Sequence, residues 1–302
     1  MLSALVAAAL TLGLGRASLA YCPATTCVSA TIPDEANDPG TCTFSGPNKP
    51  LCAIKHWNRP CFSFNVQTKG SIVRHISYEQ AHTALFNSFA KWENAVCPNG
   101  QHPTVRVDDL GPATCNKVEA NTTVNTANLN VMTFVDENWY EGLGDVLALT
   151  RVQSLQDKIV GADMEVNAAT QEIAIGGGAN VYDLETILTH ETGHVFGLEH
   201  SGHDDATMYW VYKDTEINLS DDDVQGICAL FPPEGADALK TCNPLPDHGW
   251  SPLCSKDQTA PADYTCELSP GPSAPPRGAA ALTAAAGLAL GLRRRRARLK
   301  RW

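Results

Sequence analysis

The chain has 302 residues, 43% of them hydrophobic and 18% charged, enough for one domain with a real core or two small ones. Its net charge of −11 understates the acidity of the body: nine of the 22 basic residues and none of the 33 acidic ones lie in the ends, 1–20 and 277–302, which leaves 13 basic against 33 acidic, a net −20. Such a surface repels nucleic acid and anionic membrane and suits a well-solvated exported protein.

At the N-terminus, "LSALVAAALTLGLG" (2–15) is too short to span a bilayer, and Ser18 and Ala20 offer the small residues a signal peptidase reads. Residues 1–20 are therefore expected to be a signal peptide. Residues 21–55, rich in Pro, Thr, Asn and Cys without an apolar period, are expected to form a cross-linked N-terminal segment. Eleven cysteines in an exported chain, with no CxxC pairs at zinc-finger spacing, read as a disulfide framework of at most five bridges; Cys22 or Cys27 is expected to hold the leftover thiol.

Regular structure is expected from "CFSFNV" (61–66), where Phe62, Phe64 and Val66 alternate with Ser63 and Asn65 as in a half-buried strand. Ser77 followed by Gln80 is a capping-box pattern, and Ala81, Leu85, Phe89, Trp92 and Val96 recur at three or four residues, which predicts a helix over 78–96. Strands are predicted at 104–107, 129–135, 146–150 and 159–166. A helix from Leu184 to about Phe196 has Asp183 as its cap, and a last helix within 219–231 has Ser220 as N-cap, acids in its first turn and prolines at its end. Beyond Pro233, Cys242, Cys254 and Cys266 mark a Cys-rich extension (234–267), followed by a Pro-rich linker, "LSPGPSAPPR" (268–277).

The end, 278–302, joins fifteen apolar or small residues to an Arg-rich cluster. As a helix those fifteen reach about 22 Å, short of a hydrocarbon core of about 30 Å. Spacer, short apolar stretch and Arg cluster resemble the C-terminal sorting tails of bacterial surface proteins, without the cysteine of the lipid-linked type. The resemblance implies membrane attachment through the tail and a secreted or cell-surface location; the alternative is a disordered, low-complexity end.

The chemistry concentrates in "THETGHVFGLEHSGHDDATMYW" (189–210). His190 and His194, four apart on a predicted helix, project from one face and can share a metal ion. Glu191 is rotated away from that face, where it can reach a water but not readily the metal. Gly197 lets the chain reverse, so that His200 can return as third ligand. Three neutral imidazoles leave the fourth position of a tetrahedral zinc open, as in a catalytic site. His203 reads as a solvated loop residue, and His56, His75, His82, His102 and His248 have no partner spacing.

"HETGHVFGLEHS" followed by "DATMYW" resembles the metzincin zinc metalloproteases and, within them, the matrixins: HExxHxxGxxH is complete, Ser201 follows the third histidine, and Met208 stands where the Met-turn methionine does. "HWNRPCFSFNV", "SYEQAHTALFNSFAKWE", "GDVLALT", "VGADMEVN" and "LSDDDVQGICALF" extend the resemblance over residues 56–233. It implies an α+β fold: a twisted, mostly parallel five-stranded sheet with two helices, and a small lower subdomain carrying the Met-turn and the C-terminal helix. It further implies one catalytic zinc on His190, His194 and His200, Glu191 as general base, and protein or peptide substrates bound by a monomer. Substrate would lie along the edge strand at Leu147 and Ala148, with Thr186, Tyr209 and Tyr212 around its side-chain pocket. Three departures stand out. No PRCGxPD-like segment lies ahead of residue 56, no histidine lies between His102 and His190 to hold a second zinc, and Trp210 replaces the usual pocket-wall proline. Calcium is left open, with no motif to support it. The alternative is a non-catalytic binding module on the same scaffold, which usually shows a lost glutamate or histidine; none is lost here.

Overall fold

The computed structural model describes residues 21–26, 53–118, 128–213, 218–233, 237–247 and 249–254. The expected signal peptide, most of the Cys-rich segment with Cys27, His248, Cys266, the linker and the tail 278–302 lie outside the described residues. Within them no helix is long and apolar enough to cross a membrane.

The elements run β1 (His56–Trp57), β2 (Cys61–Gln67), α1 (Tyr78–Glu93), β3 (Arg106–Ala113), β4 (Val131–Val135), β5 (Ala148–Leu155), β6 (Lys158–Asn167), β7 (Ile173–Ala174), β8 (Tyr182–Asp183), α2 (Leu184–Phe196), α3 (Asp221–Leu230) and α4 (Asp237–Lys240). The main sheet is ordered β1-β6-β4-β2-β3, with β5 also paired to β6, and every pairing is parallel except β5–β6. This is the expected mostly parallel arrangement with a sixth strand added. The two residues of β1 pair with Lys158 and Ile159, while β4 takes Met164 to Asn167 further along β6. A two-residue strand is too short to show an alternating pattern, so the sequence predicted five strands.

α1 connects parallel β2 and β3, as a parallel pair requires a crossover. Its capping box is formed: Ser77 accepts from Gln80 N, and the Gln80 side chain accepts from Ser77 N. The helix stops at Glu93, short of the expected Val96, because the Asn94 side chain caps the Ala90 carbonyl and Cys97 is bonded to Cys228. Val96 is left 60% exposed. Phe196 is the hub of the core, with the rings of Phe62, Phe89, Trp92 and Phe231 centred 5.8 to 6.1 Å away.

The sheet's other face departs from the half-buried reading, since Ser63 and Asn65 are as buried as Phe62 and Phe64. Asn130 donates to the Ser63 carbonyl, Asn65 donates to the Gly111 carbonyl, and Trp250 Nε1 donates to Asn65 Oδ1 at 3.2 Å. Trp250 and Cys254 cover a small cluster of Ala113, Cys115, Leu129 and Val131. The Cys-rich extension thus supplies a second lid to the sheet. It is held by Cys61–Cys242 and Cys115–Cys254, and by Arg59, which donates to the carbonyls of Asn243 and Leu245 and pairs with Asp247.

All seven cysteines among the described residues are disulfide-bonded, as a disulfide framework requires. Cys22 is one of them and so does not hold the leftover thiol. It is buried in a strap at 21–26 that docks on the chain after α2, where Ala24 N donates to Gly197 O and Glu199 N to Cys22 O. Replacing Cys61 and Cys242 together with Ser should cost about 2–5 kcal/mol, because the bridge closes a loop of 181 residues. Calorimetry should show Tm falling on the order of 10 °C; an unshifted Tm would mean that the extension adds nothing to the hold on the sheet.

Candidate metal centre

α2 is bounded by local signals that also set the site. Asp183 caps it by accepting from Thr186 N, and Gly197 ends it at φ 106, a left-handed conformation that suits glycine. His190 and His194 therefore face one way from a fixed helix, and the reversed chain brings His200 back to them. One ring nitrogen from each of the three lies within 4.8 Å of the others, and the Nε2 atoms of His190 and His194 are 3.2 Å apart. The Thr207 carbonyl lies 2.7 Å from His190 Nδ1 and the Leu198 carbonyl 2.7 Å from His194 Nδ1. A carbonyl can only accept, so each Nδ1 carries the proton and each Nε2 carries the lone pair that can ligate a cation.

His200 Nε2 is sealed from solvent with no hydrogen-bond partner, a costly arrangement unless something occupies the space between the rings. Burial pushes His194 down to about 4 and His190 and His200 well below 6.5; neighbouring imidazoles lower the last two further. All three are therefore neutral near pH 7, the form that ligates metal. The donor set fits a zinc ion.

Glu191 stands outside this ligand set. It is 2% exposed, and burial raises its carboxyl to about 7, partly offset by a hydrogen bond from Thr150. That bond runs from Thr150 Oγ1 to Glu191 Oε2. Met208 lies against α2 at Gly193, where an added Cβ would stand 2.2 Å from Met208 Sδ. The turn carrying Met208 is held from α3: Asp223, whose carboxylate completes a capping box with Ser220, accepts from Thr207 N at 2.7 Å and Met208 N at 3.0 Å. Ser201 N donates to the Met208 carbonyl at 2.7 Å.

The residues predicted around a substrate are placed more unevenly. Leu147 is fully buried and its carbonyl accepts from Asn167 N at 2.9 Å, so it points into the sheet. Along an antiparallel ladder such groups alternate, so the backbone groups of Ala148 and Thr150 face the outer edge, where no strand is paired with β5 among the described residues. The Thr186 hydroxyl donates to Asp183 Oδ2, and the Tyr212 hydroxyl accepts from Asp183 N, which gathers both side chains at the α2 cap. Tyr209, half-buried, lies beside Trp210 with the Lys213 ammonium 4.9 Å from its ring centroid. His203 is exposed, as a solvated loop residue should be.

Thr150, Thr207 and Asp223 were not singled out by sequence reasoning. Asp223 carried a signal only as an acid in the first turn of the last helix, and Thr150 only as one member of a strand.

Residues 56–232 match the family model described as Matrixin, within the peptidases. Among similar proteins, Metalloendoproteinase 4-MMP of Arabidopsis thaliana is 47% identical over 51 residues, covering 16% of this chain and 15% of that protein. Metalloendoproteinase 1-MMP of Arabidopsis thaliana is 23% identical over 191 residues, 59% of this chain and 44% of that protein. Matrix metalloproteinase-20 of Homo sapiens is 44% identical over 59 residues, 18% of this chain and 12% of that protein. The chain thus spans less than half the length of these curated relatives. With the match covering most of the domain, and with three imidazoles converging as a zinc site requires, this chain belongs to the matrixin family.

Proposed function

We propose that the protein is an exported zinc endopeptidase. The observation that carries this is the convergence of His190, His194 and His200, with His200 Nε2 buried and unpartnered, beside a buried carboxylate that is not part of the ligand set. Bound by the three histidines, zinc would supply Lewis acidity toward the scissile carbonyl and the attacking water. Glu191 accepts the water's proton and delivers it to the leaving nitrogen. The backbone of β5 at Ala148, next to Leu147, aligns an extended peptide by strand addition. Thr186, Tyr209 and Tyr212 border the pocket for the side chain after the scissile bond, and the short Thr186 favours Leu, Ile, Met or Phe there.

The Met-turn at Met208 and the C-terminal helix α3 belong to the lower subdomain, the chain acts as a monomer on protein or peptide substrates, and 1–20 directs export. The tail 278–302 serves as a sorting or anchoring segment, and the protein is secreted or held at the cell surface. The disulfides support an oxidising compartment.

Purified protein incubated with denatured protein substrates should cleave them, stop when a chelator is added and resume when zinc is returned. Zinc-loaded protein that cleaves nothing would favour a binding module on the same scaffold. Cleavage-site profiling of a peptide library then tests the pocket, and a preference for charged or very small residues after the scissile bond would reject the assignment of Thr186.

A further inference from the structure

Thr150 and Glu191 are 41 positions apart, on β5 and α2, and both are almost fully buried, at 1% and 2% exposure. Thr150 Oγ1 approaches Glu191 Oε2 closely and lies 3.3 Å from the Glu191 backbone carbonyl. A hydroxyl has one proton to give, and the closer, more negative acceptor takes it. Among the described residues no other side chain donates to this carboxylate, and its Oε1 receives no hydrogen bond and is not sealed from solvent. Without the hydroxyl, rotation about the last bond of the glutamate would exchange the two oxygens. With it, the carboxylate is held in one orientation.

We infer that Thr150 is a positioning residue for the reaction. Its hydroxyl fixes one oxygen of Glu191, so that the other is presented to the water. Holding the base in one orientation is the kind of placement that lowers a barrier without taking part in the chemistry. The neighbouring inward positions on β5, Ala148 and Val152, pack in the apolar core and carry no such group. The inference rests on the endopeptidase reading.

The test uses the full zinc-loaded chain with Thr150→Val, which keeps the branched shape, Thr150→Ala, which is smaller, and Thr150→Ser, which keeps the hydroxyl. Loss of a hydrogen bond to a charged group should reduce kcat about 10- to 100-fold. KM, zinc content and Tm should stay near wild type, and Thr150→Ser should recover most of the rate. In a Glu191→Ala background, Thr150→Val should cause little further loss, because the group it positions is gone. If Thr150→Val loses zinc or unfolds, Thr150→Ala takes its place in the same comparison. Full kcat in the variant that folds, failure of Thr150→Ser to recover the rate, or an undiminished further loss without Glu191 would each overturn the inference. A wild type that cleaves no peptide would instead defeat the endopeptidase reading itself.

Discussion

Replacing Glu191 with Ala is expected to cut peptide hydrolysis at least about a hundredfold, the low end for losing a positioned general base, while zinc content and folding stay close to wild type. The separation follows from geometry: the zinc-binding nitrogens come from His190, His194 and His200, and Glu191 turns instead toward Thr150. No charged side chain among the described residues pairs with Glu191, so deleting it leaves no side-chain charge unpaired. His194→Ala differs in kind. It removes a ligand whose Nδ1 is held by the Leu198 carbonyl, so zinc and activity should be lost together, with part of the stability, because metal binding and folding are coupled. Metal analysis, peptide kinetics and thermal melting of the two variants give four readable differences. Full activity in Glu191→Ala would sink its role as base, and a zinc-replete His194→Ala would sink its role as ligand.

The second large effect is expected at Gly193, which faces Met208 and Trp92. A Cβ there would lie 2.2 Å from Met208 Sδ and 2.9 Å from Trp92 Cζ2. Neither neighbour yields easily. Trp92 is fully buried with Nε1 donating to the Thr189 carbonyl, and the backbone of Met208 is tied at both ends, to Asp223 and to Ser201. Gly193→Ala should therefore displace the Met208 turn at a cost of about 1–3 kcal/mol for overpacking. The same turn presents the Thr207 carbonyl to His190, so zinc affinity should fall about 10- to 100-fold, as when a partner behind a metal ligand is disturbed. Melting temperature and competition with a chelator measure the two effects. Adding Met208→Ala should relieve the crowding and recover part of the lost stability. Wild-type melting and zinc affinity in Gly193→Ala would show that the methionine moves aside freely.

What the sequence determined by itself is what short-range chemistry controls. The extents of α2 and α3 follow from Asp183, Gly197 and Ser220 acting within a turn of their own helix ends. The facing of His190 and His194 follows from the helical period, and the return of His200 from the reversal at Gly197. Each depends on residues a few positions apart, so a one-dimensional pattern suffices. Tertiary structure decided whatever depends on a partner far along the chain. Ser63 and Asn65 are buried because Trp250 and its bonded cysteines cover that face, and alternation alone marks two faces without saying whether the second meets solvent. The pairing of Cys61 with Cys242 could not be read from spacing, since many connectivities are compatible with one set of cysteines. β5 was visible as a strand, but which backbone groups reach its outer edge was fixed by its ladder to β6, which takes the Leu147 carbonyl and turns Ala148 and Thr150 outward. The hydroxyl on Glu191 and the carbonyl on His190 likewise come from elements brought alongside α2 only by the packed core, through contacts 41 and 17 residues apart that leave no local periodic trace.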